Sequence, residues 1–193
     1  MRIAECATVL ASALEQTTCS APEGTLLGKT GDAVLRMASA YESDGRTFLS
    51  IDDPVNALAA FLYGLGWLHC GIASGALACS GGNSRCPFAT PAERVPATHF
   101  LKLGEKTGRY ARLLQTAIAS VTPAPAPGTP AHAFAGQVLF IAGIYLENGS
   151  REASEGRRED ALSCFSYGHG WLDAGVGSGL FAIHANHEIF TVD

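Results

Sequence analysis

Few residues in this chain have the type and spacing that chemistry needs, and the richest group lies in its C-terminal half. His169 and Asp173 stand four apart, which on a helix puts them on one face within reach of each other. An imidazole beside a carboxylate can act as a general acid or base, and it can equally satisfy two buried polar groups. His69, in the N-terminal half, and Tyr167, two residues before His169, complete the candidate polar site. Further on, His184 and His187 are three apart, with Glu188 adjacent. Such a trio can begin a metal site, but zinc takes four close ligands and the rest would have to come from elsewhere. On one unbroken helix His184 would lie about 22 Å from His169, so the two groups cannot share an ion. These three are weak metal candidates, expected as exposed polar side chains of a C-terminal helical turn, and no cofactor is assigned.

Other catalytic signatures are missing. Gly28-Lys29-Thr30 has the letters of a phosphate loop, but Glu23 replaces its upstream glycine. Gly175-Val176-Gly177-Ser178-Gly179 lacks both a preceding strand and a GK[ST] ending. No serine stands in a GxSxG context. Of the six cysteines, Cys70 and Cys164 fall within apolar helical patterns, where buried thiols are ordinary. Cys79 and Cys86 flank a Gly/Ser/Asn loop, which leaves free thiols, a local disulfide or a metal pair open.

The elements that must position these residues follow from an internal repeat. Residues 36–77 align with 140–181 without a gap, and fifteen of the 42 positions are identical. Tyr41 matches Tyr145, Gly45 matches Gly149, Phe61 matches Phe165, and Tyr63-Gly64 matches Tyr167-Gly168. Gly66-Trp67-Leu68 matches Gly170-Trp171-Leu172, so both tryptophans of the chain hold the same repeat position. Upstream, residues 3–17 and 107–121 share a helical pattern. Each copy therefore reads helix, loop, helix, tight turn, helix. The expected fold is all-α, a helical bundle of two pseudo-symmetric three-helix repeats. Repeat one spans 1–78, an irregular Gly/Pro-rich linker 79–104, and repeat two 105–193, and the two pack as one unit because two repeats are too few for an open solenoid.

The middle helix of the first copy is expected to start near Thr30 or Gly31 and run to about Ser50. Asp52-Asp53-Pro54 then supplies an N-cap and a proline at the first helical position. The third helices are expected over 54–78 and 158–184. Leu58, Phe61, Leu65, Leu68 and Ile72, with their counterparts Leu162, Phe165, His169, Leu172 and Val176, recur at helical steps as a core stripe. A second stripe holds Gly64, Trp67, Gly71 and Gly75, matched by Gly168, Trp171, Gly175 and Gly179. An interior glycine costs a helix about 0.8–1 kcal/mol relative to alanine. Close helix–helix packing is the compensation expected, the two small stripes meeting within the chain or across subunits; the alternative is that the missing side chains open a cleft for a ligand. If the third helices run antiparallel, His69 and Asp173 would meet across the pseudo-twofold axis.

Composition narrows the classes. Hydrophobic residues make up 47% and charged residues 16%, below the roughly 25% usual for soluble domains, which argues for a large core and a covered face. Thirteen Lys and Arg in 193 residues, with a formal net charge of -5, form no patch for nucleic acid. Apolar runs are broken by Gly, His, Asp and Tyr, so no membrane span is expected. The N-terminal Met1–Glu5 stretch lacks the apolar centre of a signal peptide, which gives a cytoplasmic expectation.

Tyr167-Gly168-His169-Gly170-Trp171-Leu172-Asp173-Ala174-Gly175, followed by Gly179-Leu180-Phe181 and the ending Phe190-Thr191-Val192-Asp193, resembles DUF357, an archaeal family of unknown function. Ala38, Tyr41, Asp44, Asp53, Ala57 and Tyr63 carry the resemblance more loosely into the first copy, where Leu65, His69 and Cys70 replace the motif's His, Asp and Ala. The resemblance implies a small helical bundle, present as two diverged tandem copies, from an archaeal cytoplasm, and it brings no activity. The leading functional expectation is an interaction or scaffold module that binds a protein partner or another copy of itself. The alternative is a small-ligand or metal-binding protein, or an enzyme, centred on His169 and Asp173.

Overall fold

The computed structural model describes residues 3–80 and 94–191. The first triad consists of α1 (Ile3–Glu15), α2 (Leu26–Ser50) and α3 (Pro54–Ala73), and the second of α4 (Phe100–Ala119), α5 (Pro130–Ser154) and α6 (Arg158–Gly177). Two antiparallel ribbons of three residues per strand close the triads. In the first, β1 (Thr17–Cys19) pairs with β2 (Leu77–Cys79), Thr18 opposite Ala78; in the second, β3 (Val121–Pro123) pairs with β4 (Phe181–Ile183), Thr122 opposite Ala182. The fold is the expected all-helical bundle of two pseudo-symmetric triads, with these short ribbons added.

Local chemistry sets the helix ends, and it repeats. Thr25 and Thr129 cap α2 and α5 by accepting from the Gly28 and His132 amides, which starts α2 earlier than the glycine-rich stretch at Thr30 suggested. Gly28-Lys29-Thr30 thus lies in the first turns of a helix, where Gly28 lets the Pro22 carbonyl come close. Asp53 caps α3 as expected, its side chain accepting from the Asn56 amide, with Pro54 at the first position. The corresponding turn before α6 has no side-chain cap; Glu159 and Asp160 instead place negative charge in the first turn. The third helices end sooner than expected, at Ala73 and Gly177. Gly75 and Gly179 adopt φ of +77° and +74°, the left-handed geometry that ends a helix. The chain then turns back, and Leu77 and Phe181 lie over Gly71 and Gly175.

The core is centred on α3 and α6, which make the most extensive helix–helix contact in the molecule. In α6 every residue from Glu159 to Val176 is buried. By length and mean hydropathy α3 is the one described helix suited to cross a bilayer, despite its broken apolar runs, and the bundle buries 83% of that window. α2 and α5 cover one helix each, while α1 and α4 complete the triads. Polar contacts tie the start of α4 to the start of α3: Lys102 bonds Asp53 at 2.6 Å and Lys106 bonds the Asn56 side chain.

The two central helices meet backbone to backbone. A Cβ on Gly66 would strike the Tyr167 carbonyl oxygen, and one on Gly170 the Tyr63 carbonyl oxygen, while each glycine's Cα is about as close to the other's Cβ position as atoms can stand. Gly66→Ala should therefore lower unfolding free energy by about 1–3 kcal/mol or more through overpacking. Gly136→Ala, on an open face of α5 where a Cβ meets nothing, should raise it by up to about 1 kcal/mol. Urea denaturation of both variants checks the contrast, and equal effects would contradict the crossing.

Candidate functional site

The polar residues singled out by sequence flank this crossing. On one side the Tyr63 hydroxyl donates to Oδ2 of Asp173, and the Thr191 amide donates to the same carboxylate at 3.0 and 3.2 Å. The Tyr41 ring packs on Tyr63 at 4.5 Å between centroids, and His169 meets Tyr63 edge-on at 5.5 Å. On the other side the Tyr167 hydroxyl and His69 Nδ1 share a hydrogen bond of 2.7 Å. Tyr145 packs on Tyr167 at 4.5 Å, and Trp171 lies 6.4 Å away.

Tyr63 with Asp173 and Tyr167 with His69 are therefore the same contact made twice, since each partner is the repeat equivalent of its counterpart. Residues 63, 66 and 69 face 173, 170 and 167, the register of antiparallel helices. This overturns the expected His69–Asp173 pair. Both residues stand three positions beyond the crossing on helices of opposite direction, so they are displaced about 9 Å along the axis and each meets a tyrosine instead.

Burial sets the electrostatics. Asp173 is fully buried and Tyr63, Tyr167 and His169 nearly so. Burial pushes the Tyr63 phenol well above its ordinary range, and the charge of Asp173 adds to the rise. Burial holds His69 down to about 4. It also lowers His169, against the opposing pull of Asp173. Both histidines are thus neutral imidazoles near neutral pH. The Nε2 atoms of His69 and His169, the indole nitrogens of Trp67 and Trp171 and the Ser166 hydroxyl have no protein hydrogen-bond partner. Asp173, the one carboxylate in the group, already accepts from Tyr63 and Thr191. The arrangement pins the register of α3 against α6 and supplies two neutral imidazole nitrogens facing the interior.

The Gly/Trp stripes do not pack against each other. Gly64 receives Tyr41, Leu10 and the Ala38 carbonyl, and Gly168 receives Tyr145, Leu114 and the Ala142 carbonyl. Gly71 and Gly175 accommodate Val34 with Leu77 and Val138 with Phe181. Each stripe thus seats its own triad's helices, while Gly75 and Gly179 serve as helix terminators. Trp67 and Trp171 are buried, and Trp67 reaches across to Gly177. The glycines that join the copies are Gly66 and Gly170, which lie off the stripe. Their signal was present, since both are identical in the repeat and precede the tryptophan.

The C-terminal histidines lie past the helix break. His184 bonds Thr122 of β3, and His187 and Glu188 form a 3-10 turn, His187–Ile189. Among the described residues no three His, Cys, Asp or Glu side chains gather as a metal site. Cys70 and Cys164 are buried, which pushes both thiols up to about 12. Cys86 lies outside the described residues, and with it the choice among free thiols, a disulfide or a metal pair at Cys79 and Cys86.

Residues 7–77 and 109–181 match the model of a family described as a protein of unknown function, DUF357. The chain belongs to the DUF357 family. Each matched segment runs from the first helix of a triad into its closing strand. No curated protein and no solved structure is significantly similar to the chain.

Two measurements follow from this DUF357 site. Tyr63→Phe removes one donor from a buried carboxylate and should cost about 1–3 kcal/mol of stability, read as a lower urea midpoint. The second concerns pH. The unfolded chain protonates His69 near 6.5, whereas the folded protein resists until about 4. That contribution is complete above pH 6.5 and is lost as pH falls toward 4. His69→Gln should shrink the fall in urea midpoint between pH 7 and pH 4.5, and an unchanged fall would contradict the neutral buried state.

Proposed function

We propose that this DUF357 protein is a helical interaction module, built from two diverged tandem copies of one family unit and working in an archaeal cytoplasm. The observation that carries the reading is where the two kinds of reactive surface lie. The polar residues face inward between α3 and α6, where Tyr63 pairs with Asp173 and Tyr167 with His69. Of the six large apolar side chains exposed among the described residues, Leu26 and Leu27 lie at the start of α2 and Phe140 on α5, while the other three lie near the turn between α2 and α3 and the start of α4. Ile51 is 66% exposed, Phe100 48% and Leu101 91%. A 3.7 Å contact between Asp52 and His99 and the Lys102–Asp53 bond bring the turn between α2 and α3, which carries Ile51, beside the start of α4, which carries Phe100 and Leu101. An exposed apolar cluster rimmed by charged residues is the anatomy of a contact surface. A second copy of the chain is the simplest occupant, because a twofold contact needs one patch that complements itself.

The alternative, a ligand-binding or metal-dependent protein centred on His169 and Asp173, has less support. Both residues are buried, and the Asp173 carboxylate is already bonded to Tyr63 and Thr191. The duplication reading rests on the fifteen shared identities and on the two matched segments of the family.

Light scattering across a concentration series up to about 100 µM tests the proposal. The wild type should self-associate. Burying one leucine-sized side chain is worth about 1.5–3 kcal/mol, a factor of about 10–100 in Kd, so Ile51→Glu with Leu101→Glu should leave a monomer. A wild type that stays monomeric throughout, or a double variant that associates equally well, would sink self-association through this corner.

A further inference from the structure

The second triad holds an open cleft of about 400 Å³ between α4, α5 and α6 that no feature above uses. Gly104, Thr107, Gly108 and Ala111 of α4 form one wall, Ser150 and Ala153 of α5 the other, and Phe165 the floor, with Arg158 at the edge. Its volume falls within the range of small-molecule sites, at the lower end.

One guanidinium, that of Arg158, edges the cleft, and a second, that of Arg112, lies beside the wall residue Gly108. Arg158 Nη1 is 3.4 Å from the position a Cβ would take on Gly104, and Arg112 Nη1 is 3.5 Å from that position on Gly108. Gly104 and Gly108 are one turn apart on α4, so the two charges sit over sites about 6 Å apart along the helix. Guanidinium forks of this kind suit the oxygens of a phosphate. Neither guanidinium has an ion pair among the described residues, whereas neighbouring Arg157 is held by Glu152, Glu155 and Asp160.

Packing does not account for the opening. A Cβ at Gly104 or Gly108 would meet no helix, only these arginine side chains. The pseudo-symmetric triad manages without the same groups: the position of Arg158 is Pro54 there, that of Arg112 is Thr8, and that of Gly108 is Ala4. The cleft and its charges therefore belong to one triad and are not demanded by the shared fold. Its two hydroxyls are already committed as donors, Thr107 to the Leu103 carbonyl and Ser150 to the Leu146 carbonyl. Their oxygens remain able to accept.

We propose that this cleft binds a phosphate monoester of a small hydroxylated molecule. Arg158 and Arg112 take the phosphate, the Thr107 and Ser150 oxygens accept from the ligand's hydroxyls, and Phe165 with Ala111 backs its carbon skeleton.

Calorimetric titration of the intact protein with glycerol 3-phosphate, inorganic phosphate and glycerol tests this. Glycerol 3-phosphate should bind saturably, inorganic phosphate more weakly, and glycerol not measurably. Arg158→Gln and Arg112→Gln should each weaken glycerol 3-phosphate binding about tenfold or more. Gly108→Leu, which fills the cleft and keeps both charges, should abolish it. Arg36→Gln, an exposed arginine of the other triad, should leave it unchanged. Circular dichroism and urea midpoints establish that each variant is folded. Absence of saturable glycerol 3-phosphate binding up to about 10 mM, retention of full affinity in folded Arg158→Gln and Arg112→Gln, or an equal loss in Arg36→Gln would each overturn the proposal.

Discussion

The close approach of α3 and α6 at Gly66 and Gly170 is the constraint on which the rest of this molecule depends. Two glycines in helix interiors sacrifice about 0.8–1 kcal/mol each relative to alanine. In return the backbones meet, and the apolar surface of both helices is removed from water along their length. Burying a single Leu or Phe side chain contributes about 1.5–3 kcal/mol, so even a few of the side chains enclosed by this contact outweigh the cost. A larger residue at either position would separate the helices and undo the gain on both sides of the crossing.

The crossing also decides the fate of the polar residues. Antiparallel helices touching at residues 66 and 170 place each tyrosine of the pair 63 and 167 opposite position 173 or 69 of the other triad. Those positions differ, aspartate in one case and histidine in the other, and both suit a tyrosine hydroxyl as partner. The geometry is the same on both sides of the crossing, and the hydrogen-bonding chemistry differs within it. Such pairs fix one register for two helices that would otherwise slide on smooth apolar surfaces, a specificity role known for buried polar groups in helical assemblies.

Around this centre the two triads differ in their exteriors. The first half of α4 carries Lys102 and Lys106, which bind the start of α3. The same stretch exposes Phe100 and Leu101 and contributes Gly104, Thr107 and Gly108 to the arginine-edged cleft beside α6. Both functional proposals thus concern the asymmetric parts of a symmetric frame. A frame kept for packing leaves its outer faces free to change, because a substitution there disturbs few buried contacts.

The sequence by itself determined the helical triads, the capping of α3 by Asp53 and Pro54, and the equivalence of the copies, because these depend on local pattern and on repeated letters. It also singled out His69, Tyr167, His169 and Asp173 as the polar centre, since polar groups in an apolar helix stand out. Their partners were beyond its reach. Whether His69 meets Asp173 or Tyr167 depends on where two helices cross, and a shift of one turn exchanges every contact. The helix ends at Gly75 and Gly179 were legible as glycines but not as terminators, because the apolar residues beyond them continued the pattern until the chain's reversal put Leu77 and Phe181 back against the core. The assignment of Gly64 and Gly168 to packing within a triad, and of Gly66 and Gly170 to packing between triads, belonged to tertiary structure alone. On a helix buried all round, every face is apolar, and periodicity cannot tell which neighbour each face will meet.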